Sequence, residues 1–503
     1  MVAASFFFLG TFISQLFVLF HQGSLSIVLR SSETLILTGQ YVNQSSFHNK
    51  HPGQYFRYFE LHEQVIKLAN ELTPEGTSQP GSYSAYSRAL VVTNAPWLPP
   101  RRMCKETCCV EAVAISLDQD KHQIIQCTDG SDLADITSSF DPRAEGKRFH
   151  AAGFHEALLP CLVPGTIINM HSMFESSVNF WEKYRAKIQV PFVLMTTGTD
   201  INSPQMGDKY IGDTLLLHWY GTNPVRLTEP SFQEHAHKFR PMKLGLSGGN
   251  HPHERYMLPY LKLNNFTNPF LDKSRWDLSK QPLHFDKDVF VKYGNHWLQH
   301  RTDLWQSLCP NTTHFNTTSC GSAANLVPVD QTYADMSRYR FGVSPPGAGW
   351  DCYRTYEMLY LGVIPLVEIR DSYSHELFQG LPVILVPKLG TGTTRKDVLD
   401  AIHNYIASDV FQNASFEAGW ESLFFSHRRR QILKDSGRDE ENLIDDNGRE
   451  YYQAYRYTVL GAEQATVNQV EQDLSWIDQP RPLSEHDESW LRKWKKKGNL
   501  ASG

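Results

Sequence analysis

Strand-length apolar runs alternate with helix-length stretches along most of this chain, and that alternation limits the possible folds more than any other feature. The runs begin at "ALVVTNA" and recur at "CVEAVAISL", "HQIIQC", "TIINMHS", "PFVLMTT", "TLLLHWYG" and "MKLGLSGG". Helical pieces such as "SMFESSVNFWEKYRAKI" lie between several of them. This pattern predicts a mostly parallel sheet covered on both faces. A second series, "DVFVKYG", "YRFGVSP", "VIPLVEI" and "PVILVPK", is separated by "WLQHRTDLWQSL", "CYRTYEMLYL" and "RKDVLDAIHNYIA". It predicts a second α/β domain of about 160 residues, a usual domain size. Thr394 and Asp397 have the spacing of a capping box opening the last of those helices. At 503 residues the chain is long enough for two or three domains with substantial cores.

The N-terminus carries no Asp, Glu, Lys or Arg over positions 1–29. Its densest part, "SFFFLGTFISQLFVLF", is longer than a usual signal-peptide core and is followed by a poor cleavage pattern. We read an uncleaved signal anchor, with a cleaved signal peptide as the alternative. The remainder of the chain would then lie in a secretory lumen. N-x-Ser/Thr sequons at Asn43, Asn265, Asn311, Asn316 and Asn413 agree with that route. So does an even count of 8 cysteines, which an oxidising lumen would allow to pair. Cys309 and Cys320 would close a short loop holding two of the sequons. A zinc site fits less well, since no histidine pair completes a ligand set with Cys104 and Cys108. The net charge of −6 argues against a dedicated nucleic-acid binder.

The expected division is an anchor at 1–29, a polar stem and linker at 30–87, a first α/β domain at 88–279, a second at 280–440, and a helical segment with a charged tail at 441–503. The stem holds one helical stretch, "FELHEQVIKLANEL", before the linker "TPEGTSQPGSYSAYS". The basic run near the C-terminus reads as a solvated tail.

The turn "SPPGAG" follows the strand ending at Val343, the place where ligands sit in open α/β sheets. Gly347 and Gly349 can take positive φ and let a ligand approach the backbone. Asp351 suits an N-cap, with a helix from Cys352 to about Leu361 stopped by Gly362. The free N–H groups at that helix start suit a diphosphate. Arg354 and Glu357 share a helix face, and the pair fits phosphate and ribose hydroxyls. A surface i,i+3 ion pair is the plainer reading. The glycine spacing is neither a Walker P-loop nor a G-x-G-x-x-G fingerprint.

The segment "FGVSPPGAGWDCYRTYEMLYLGVIPLV" resembles the donor site of the exostosin-like glycosyltransferases. That family carries a strand, a Ser/Cys-Pro-x-Gly turn, an Arg-x-x-Glu helix and a Gly-x-(Ile/Val)-Pro strand. The likeness continues through "LFQGLPVILV". Upstream, "PFVLMTTGTD", "LLHWYGTNP" and "KLGLSGG" are similar to the acceptor-side half, so it spans roughly 191–407. The Cys-Tyr-Arg-x-Tyr-Glu stretch is also similar to the ribitol xylosyltransferase-like branch.

The resemblance implies a GT-B fold of two Rossmann-like domains facing a cleft, behind an N-terminal membrane anchor and stem. It implies a single-pass type II protein of the Golgi or endoplasmic reticulum membrane. A nucleotide-sugar donor and a glycan or glycoprotein acceptor would be its partners, with no nucleic acid. Arg354 would bind the donor diphosphate and Glu357 the ribose. Ser344, Gly347 and Gly349 would line the phosphate turn, and Arg301 would add a second phosphate contact. No metal or other cofactor is expected, since side-chain cations and a helix N-terminus can stabilise the leaving diphosphate. An inverting transfer needs a general base; Asp200 is favoured, with His218 and His171 as further candidates. Trp219 and Tyr220 have the character of a sugar platform or of a wedge between domains. Two other functions fit the same pattern: a non-catalytic glycan-binding or co-polymerase subunit, and a lumenal sulfotransferase. The intact Arg354 and Glu357 speak against the first, and the absence of a Gly/Thr-rich phosphate loop near the domain start against the second.

Overall fold

The computed structural model describes residues 3–7, 15–21, 24–30, 91–92, 102–116, 134–138, 152–153, 156–171, 174–198, 200–247, 253–292, 298–310, 320–321, 329–438, 442–444 and 450–460. Two parallel sheets form its framework. In the first, the spatial order is Phe239–Pro241, Leu216–Gly221, Phe192–Thr197, Thr166–His171, Ile136–Ser138 and Ala152–Gly153, every pairing parallel. In the second, it is Cys320–Gly321, Val289–Lys292, Phe341–Ser344, Ile364–Glu368 and Ile384–Val386, again all parallel. The molecule is thus mixed α/β with parallel sheets, compatible with a Rossmann-like architecture. The strands are near-continuous apolar runs because each sheet is covered on both faces. Phe192 to Thr197, for example, is buried throughout.

Both sheets reverse their strand order once. In the first, the reversal lies between Ile136–Ser138 and Thr166–His171; in the second, between Val289–Lys292 and Phe341–Ser344. Helices leave the sheet in opposite directions at such a point, and a crevice opens at the carboxyl ends of the strands there. The turn after Ser344 therefore lies at the crevice of the second sheet.

The division of the chain differs from the sequence reading in two places. Leu244, Met257, Tyr260 and Trp276 are buried in one cluster with Val289, Phe341 and Ile364. The second domain thus takes up the chain from about Leu244, not from 280, because the helix His253–Leu263 packs its apolar side there. The second difference is at the C-terminus. The helix Phe425–Asp435 returns to the first sheet, burying Phe425, Ile432 and Leu433 against Ile167, Val193 and Met195. Beyond it, Asn442–Ile444 and Glu450–Val459 are strands, not helix. Glu450–Val459 pairs antiparallel with Cys108–Ser116 from Tyr451↔Ser116 to Val459↔Cys108. "CVEAVAISL" therefore belongs to a separate antiparallel sheet rather than to the parallel one.

A buried ion pair fastens this return. Arg438 Nη1 donates to Asp135 Oδ2 at 2.5 Å, and the two side chains are 4% and 0% exposed. Asp135 also accepts from the backbone of Ile167 at 2.8 Å and of Tyr455 at 3.2 Å. Its oxygens thereby join the first sheet, the C-terminal strand and the arginine. The disulfide Cys108–Cys161 holds the outer sheet to the first domain, and Cys104–Cys109 closes a hairpin within that sheet. Cys309 is disulfide-bonded; the side chain of Cys320, its expected partner, lies outside the described residues.

The N-terminal segment expected as a helical anchor is carried as short antiparallel strands, Ala3–Phe7, Gln15–His21 and Ser24–Arg30. Its side chains, the stem helix and the basic tail lie outside the described residues. No helix among the described residues is long and apolar enough to cross a membrane.

Candidate functional site

The carboxyl ends of the two sheets meet. Residues just past the strand ends of the first domain bond residues just past the strand ends of the second. Asn223 Oδ1 accepts the backbone N–H of Asp351 at 2.9 Å. Asp351 Oδ2 accepts the backbone N–H of Leu244, where the chain passes from the first domain into the second, at 2.9 Å. Asp371 Oδ2 accepts the backbone N–H of Arg226 at 2.8 Å, and Arg370 Nη1 donates to Asn202 at 3.1 Å. The segment from Phe341 to Leu361 is thus built into this junction.

Within the segment, the strand Phe341–Ser344 leads through the Pro-Pro turn to the helix Tyr353–Tyr360. Gly362 ends that helix with φ 69, the left-handed geometry expected of it. The turn glycines act differently from expectation. Neither Gly347 nor Gly349 has positive φ. Gly349 is required by close approach: a Cβ there would stand 2.5 Å from Asn223 Oδ1. A Cβ on Gly347 would stand 3.1 Å from Arg301 Nη2. Protein groups press on the turn where a ligand was expected.

Arg301, on the helix Gln299–Leu308, braces the turn from beneath. Its Nε donates to the carbonyl of Pro346 at 2.7 Å and its Nη2 to that of Pro345 at 3.0 Å. It is 4% exposed, so its role in the structure is to hold the turn rather than to reach into solvent. Ser344 is also committed, its hydroxyl 2.9 Å from that of Thr355 in the helix that follows. Asp351 is not the N-cap. Cys352 takes that position, without a side-chain capping bond, and is a free, half-buried thiol. Asp351 instead accepts from the Cys352 N–H at 2.9 Å and the Tyr356 hydroxyl at 2.6 Å, besides Leu244. Burial pushes its carboxyl up to about 6, against those hydrogen bonds and the charge of Lys243. Lys243 is in turn brought down to about 8, by burial first and by the neighbouring Arg428 second.

Arg354 and Glu357 are not a surface pair. Glu357 is 1% exposed, and its Oε2 lies 2.8 Å from Arg354 Nη1. The two meet off hydrogen-bond alignment, so both of those atoms remain without a hydrogen bond. The other carboxylate oxygen is well served. Glu357 Oε1 lies 2.5 Å from His253 Nδ1 and 3.2 Å from the Tyr333 hydroxyl. Burial alone would raise this carboxyl; the Arg354 guanidinium, with His253 and Tyr333, outweighs it and brings it down to about 2. Glu357 is therefore a fixed anion beside a fixed cation.

On the first-domain side, Asp200 follows the strand Phe192–Thr197 and is exposed. Partial burial raises its carboxyl, and the charge of Arg301 opposes that rise. Asp200 thus feels the charge of the arginine that props the turn. His218 stands elsewhere. Side chains alternate along a strand, and this parity puts His218 on the same face as Tyr220, beneath the helix Phe425–Asp435. Its charged neighbours are Asp435, Arg240 and His237, and burial lowers its pKa. It is not grouped with Arg354 and Glu357. His171 closes the strand at the reversal of the first sheet, with its side chain outside the described residues.

Trp219 and Tyr220 do not form a sugar platform. Trp219 is fully buried and donates to Thr196 Oγ1 at 3.1 Å; Tyr220 donates to Asp435 at 2.5 Å. Of the sequons, Asn265 and Asn413 are exposed; Asn43, Asn311 and Asn316 lie outside the described residues. Among the described residues no cluster of His, Cys, Asp or Glu has the makings of a metal site.

Sequence reasoning gave no role to His253 or Tyr333, and took Asn223 only as part of a pattern in the first domain; each meets the segment 341–361 through the fold rather than through local spacing. The chain matches no protein-family model and no curated protein.

Proposed function

We propose that this chain is a glycosyltransferase that moves a sugar from a nucleotide-sugar donor to a glycan or glycoprotein acceptor in the secretory lumen. On this reading its two α/β domains form a GT-B pair with the donor held by the second. One observation carries the proposal: a buried carboxylate, Glu357, and a partly exposed guanidinium, Arg354, each with an unbonded polar atom, stand at the strand-order reversal of the second sheet. A guanidinium there suits a diphosphate, and a carboxylate held ionised suits a sugar hydroxyl. The resemblance to exostosin-like enzymes rests on the same residues.

Asp200 is the general base in this account. Partial burial raises its carboxyl, against the charge of Arg301, and a more basic carboxylate is the better acceptor of a hydroxyl proton. Arg301 contributes by fixing the Pro-Pro turn rather than by direct contact. The disulfides Cys104–Cys109 and Cys108–Cys161 and the exposed sequons at Asn265 and Asn413 support a lumenal setting.

The test is release of labelled sugar from a panel of nucleotide-sugars onto secretory-pathway glycans, with Asp200→Asn alongside. Transfer with one donor, lost by about a hundredfold or more in Asp200→Asn while donor affinity holds, is the expected result. Donor binding with no transfer to any acceptor would point to a non-catalytic subunit instead.

A further inference from the structure

The two oxygens of Glu357 are used unequally. A carboxylate oxygen accepts about two hydrogen bonds. Oε1 receives both, from His253 Nδ1 at 2.5 Å and from the Tyr333 hydroxyl at 3.2 Å. Oε2 receives none, although Arg354 Nη1 stands 2.8 Å away off the bonding direction. His253 Nδ1 also lies 2.9 Å from the Tyr333 hydroxyl, so the three groups form a closed triangle. Tyr333 is fully buried and comes from the helix Val329–Met336; His253 opens the helix His253–Leu263, and Glu357 lies on Tyr353–Tyr360. Three separate helices thus fix the carboxylate plane. Turning it to free Oε1 would break two hydrogen bonds to a buried ion, each among the stronger kind.

We propose that His253 and Tyr333 are positioning residues that take up one oxygen of Glu357, so that the site reads a single hydroxyl of the donor's ribose through Oε2 rather than the adjacent pair of hydroxyls. This rests on the donor-site reading above. A carboxylate with both oxygens free of hydrogen bonds can accept a vicinal diol; here Oε2 alone is free of them, and it is buried beside the Arg354 guanidinium, so a hydroxyl reaches it only as that guanidinium turns away. Because Glu357 is ionised, the hydrogen between it and His253 belongs to Nδ1, which makes the histidine a donor in this contact. The consequence is a specificity rule for the nucleoside. Losing one ribose hydroxyl costs binding, and losing the other does not.

The test uses the full chain and calorimetric titration with UDP, GDP, CDP and ADP, each also as its 2′-deoxy and 3′-deoxy form. Wild type, His253→Leu, His253→Asn and Tyr333→Phe are compared, and the ligand-free unfolding midpoint of each shows that it is folded. For the diphosphate that binds, one deoxy form should bind about tenfold or more weaker, as for a lost hydrogen bond to a charged group, and the other within about twofold of the parent. His253→Leu should erase most of that difference. His253→Asn should restore it, because the asparagine amide can place a donor close to the position of Nδ1. A purely structural histidine would change affinity for all three forms alike and leave their ratio intact. Equal loss for both deoxy forms in wild type overturns the inference and leaves the donor site standing, as does an unchanged ratio in both His253→Leu and Tyr333→Phe. Absence of binding by every ribonucleoside diphosphate overturns the donor-site reading and the inference together.

Discussion

The side-chain oxygen of Asn223 lies 2.9 Å from the backbone nitrogen of Asp351, a contact between residues 128 apart in sequence. Asn223 itself has φ 49, a conformation asparagine tolerates better than most residues. The same oxygen lies 2.5 Å from where a Cβ on Gly349 would be. Together these fix the Pro-Pro turn to the first domain.

Gly349→Ala should therefore be felt across the junction. The new methyl cannot be accommodated without displacing a buried asparagine. Asn223→Ala should destabilise the protein by about 1–3 kcal/mol, the cost of leaving a buried N–H unbonded. The double variant should lose less than the sum of the two, because alanine at 223 makes room for the methyl at 349. A double-mutant cycle by urea unfolding measures this. Strict additivity would show that the two residues are not in contact.

Asp351 makes stability fall as pH rises. Its folded carboxyl is raised from 3.8 to about 6, so the folded state binds the proton more tightly than the unfolded state. Its favourable contribution is full below about pH 3.8 and is lost as pH climbs through about 6. Glu357 runs the other way, lowered from 4.5 to about 2, so its contribution is present above about 4.5 and lost toward pH 2. Unfolding free energy measured from pH 3.5 to 7 should thus contain a downward step that Asp351→Asn removes. A step that survives in Asp351→Asn would assign it to another group.

The ion pair between Arg438 and Asp135 should matter far more than those at the surface. Arg438→Met leaves a buried carboxylate without its partner and should cost about 3–5 kcal/mol. Lys396→Met breaks an exposed i,i+4 pair with Asp400 and should cost no more than about 0.5 kcal/mol. Tryptophan fluorescence of the first domain, where Trp181 and Trp219 are buried, follows both in urea. Similar losses for the two would mean that the C-terminal return is not held by this pair.

Much of the local structure was legible in the sequence. Every strand of the second sheet but the short Cys320–Gly321 lies within an apolar run read from the sequence, and the capping box of Thr394 and Asp397 forms as its spacing implies. Such features depend on residues a few positions apart. What escaped depends on distant ones. His253 and Glu357 are 104 residues apart, and Tyr455 reaches Asp135 across 320. No periodicity records contacts of that kind. His218 was misplaced for a simpler reason. It lies mid-strand, where parity alone decides the face, and the helix that covers that face arrives from the far end of the chain. The glycines of the turn were singled out for positive φ and ligand approach; neither has positive φ, and their neighbours are Asn223 and Arg301, which the sequence does not place beside them.

The most direct measurement is the thermal unfolding midpoint of the protein with and without each nucleoside diphosphate, for wild type, Arg354→Ala and Glu357→Ala. At a concentration of about 100 Kd, one diphosphate should stabilise wild type by about 2.7 kcal/mol, and the upward shift should vanish in both variants. A wild-type midpoint unmoved by every diphosphate, or a shift that both variants keep, would contradict the placement of a nucleotide donor at Arg354 and Glu357.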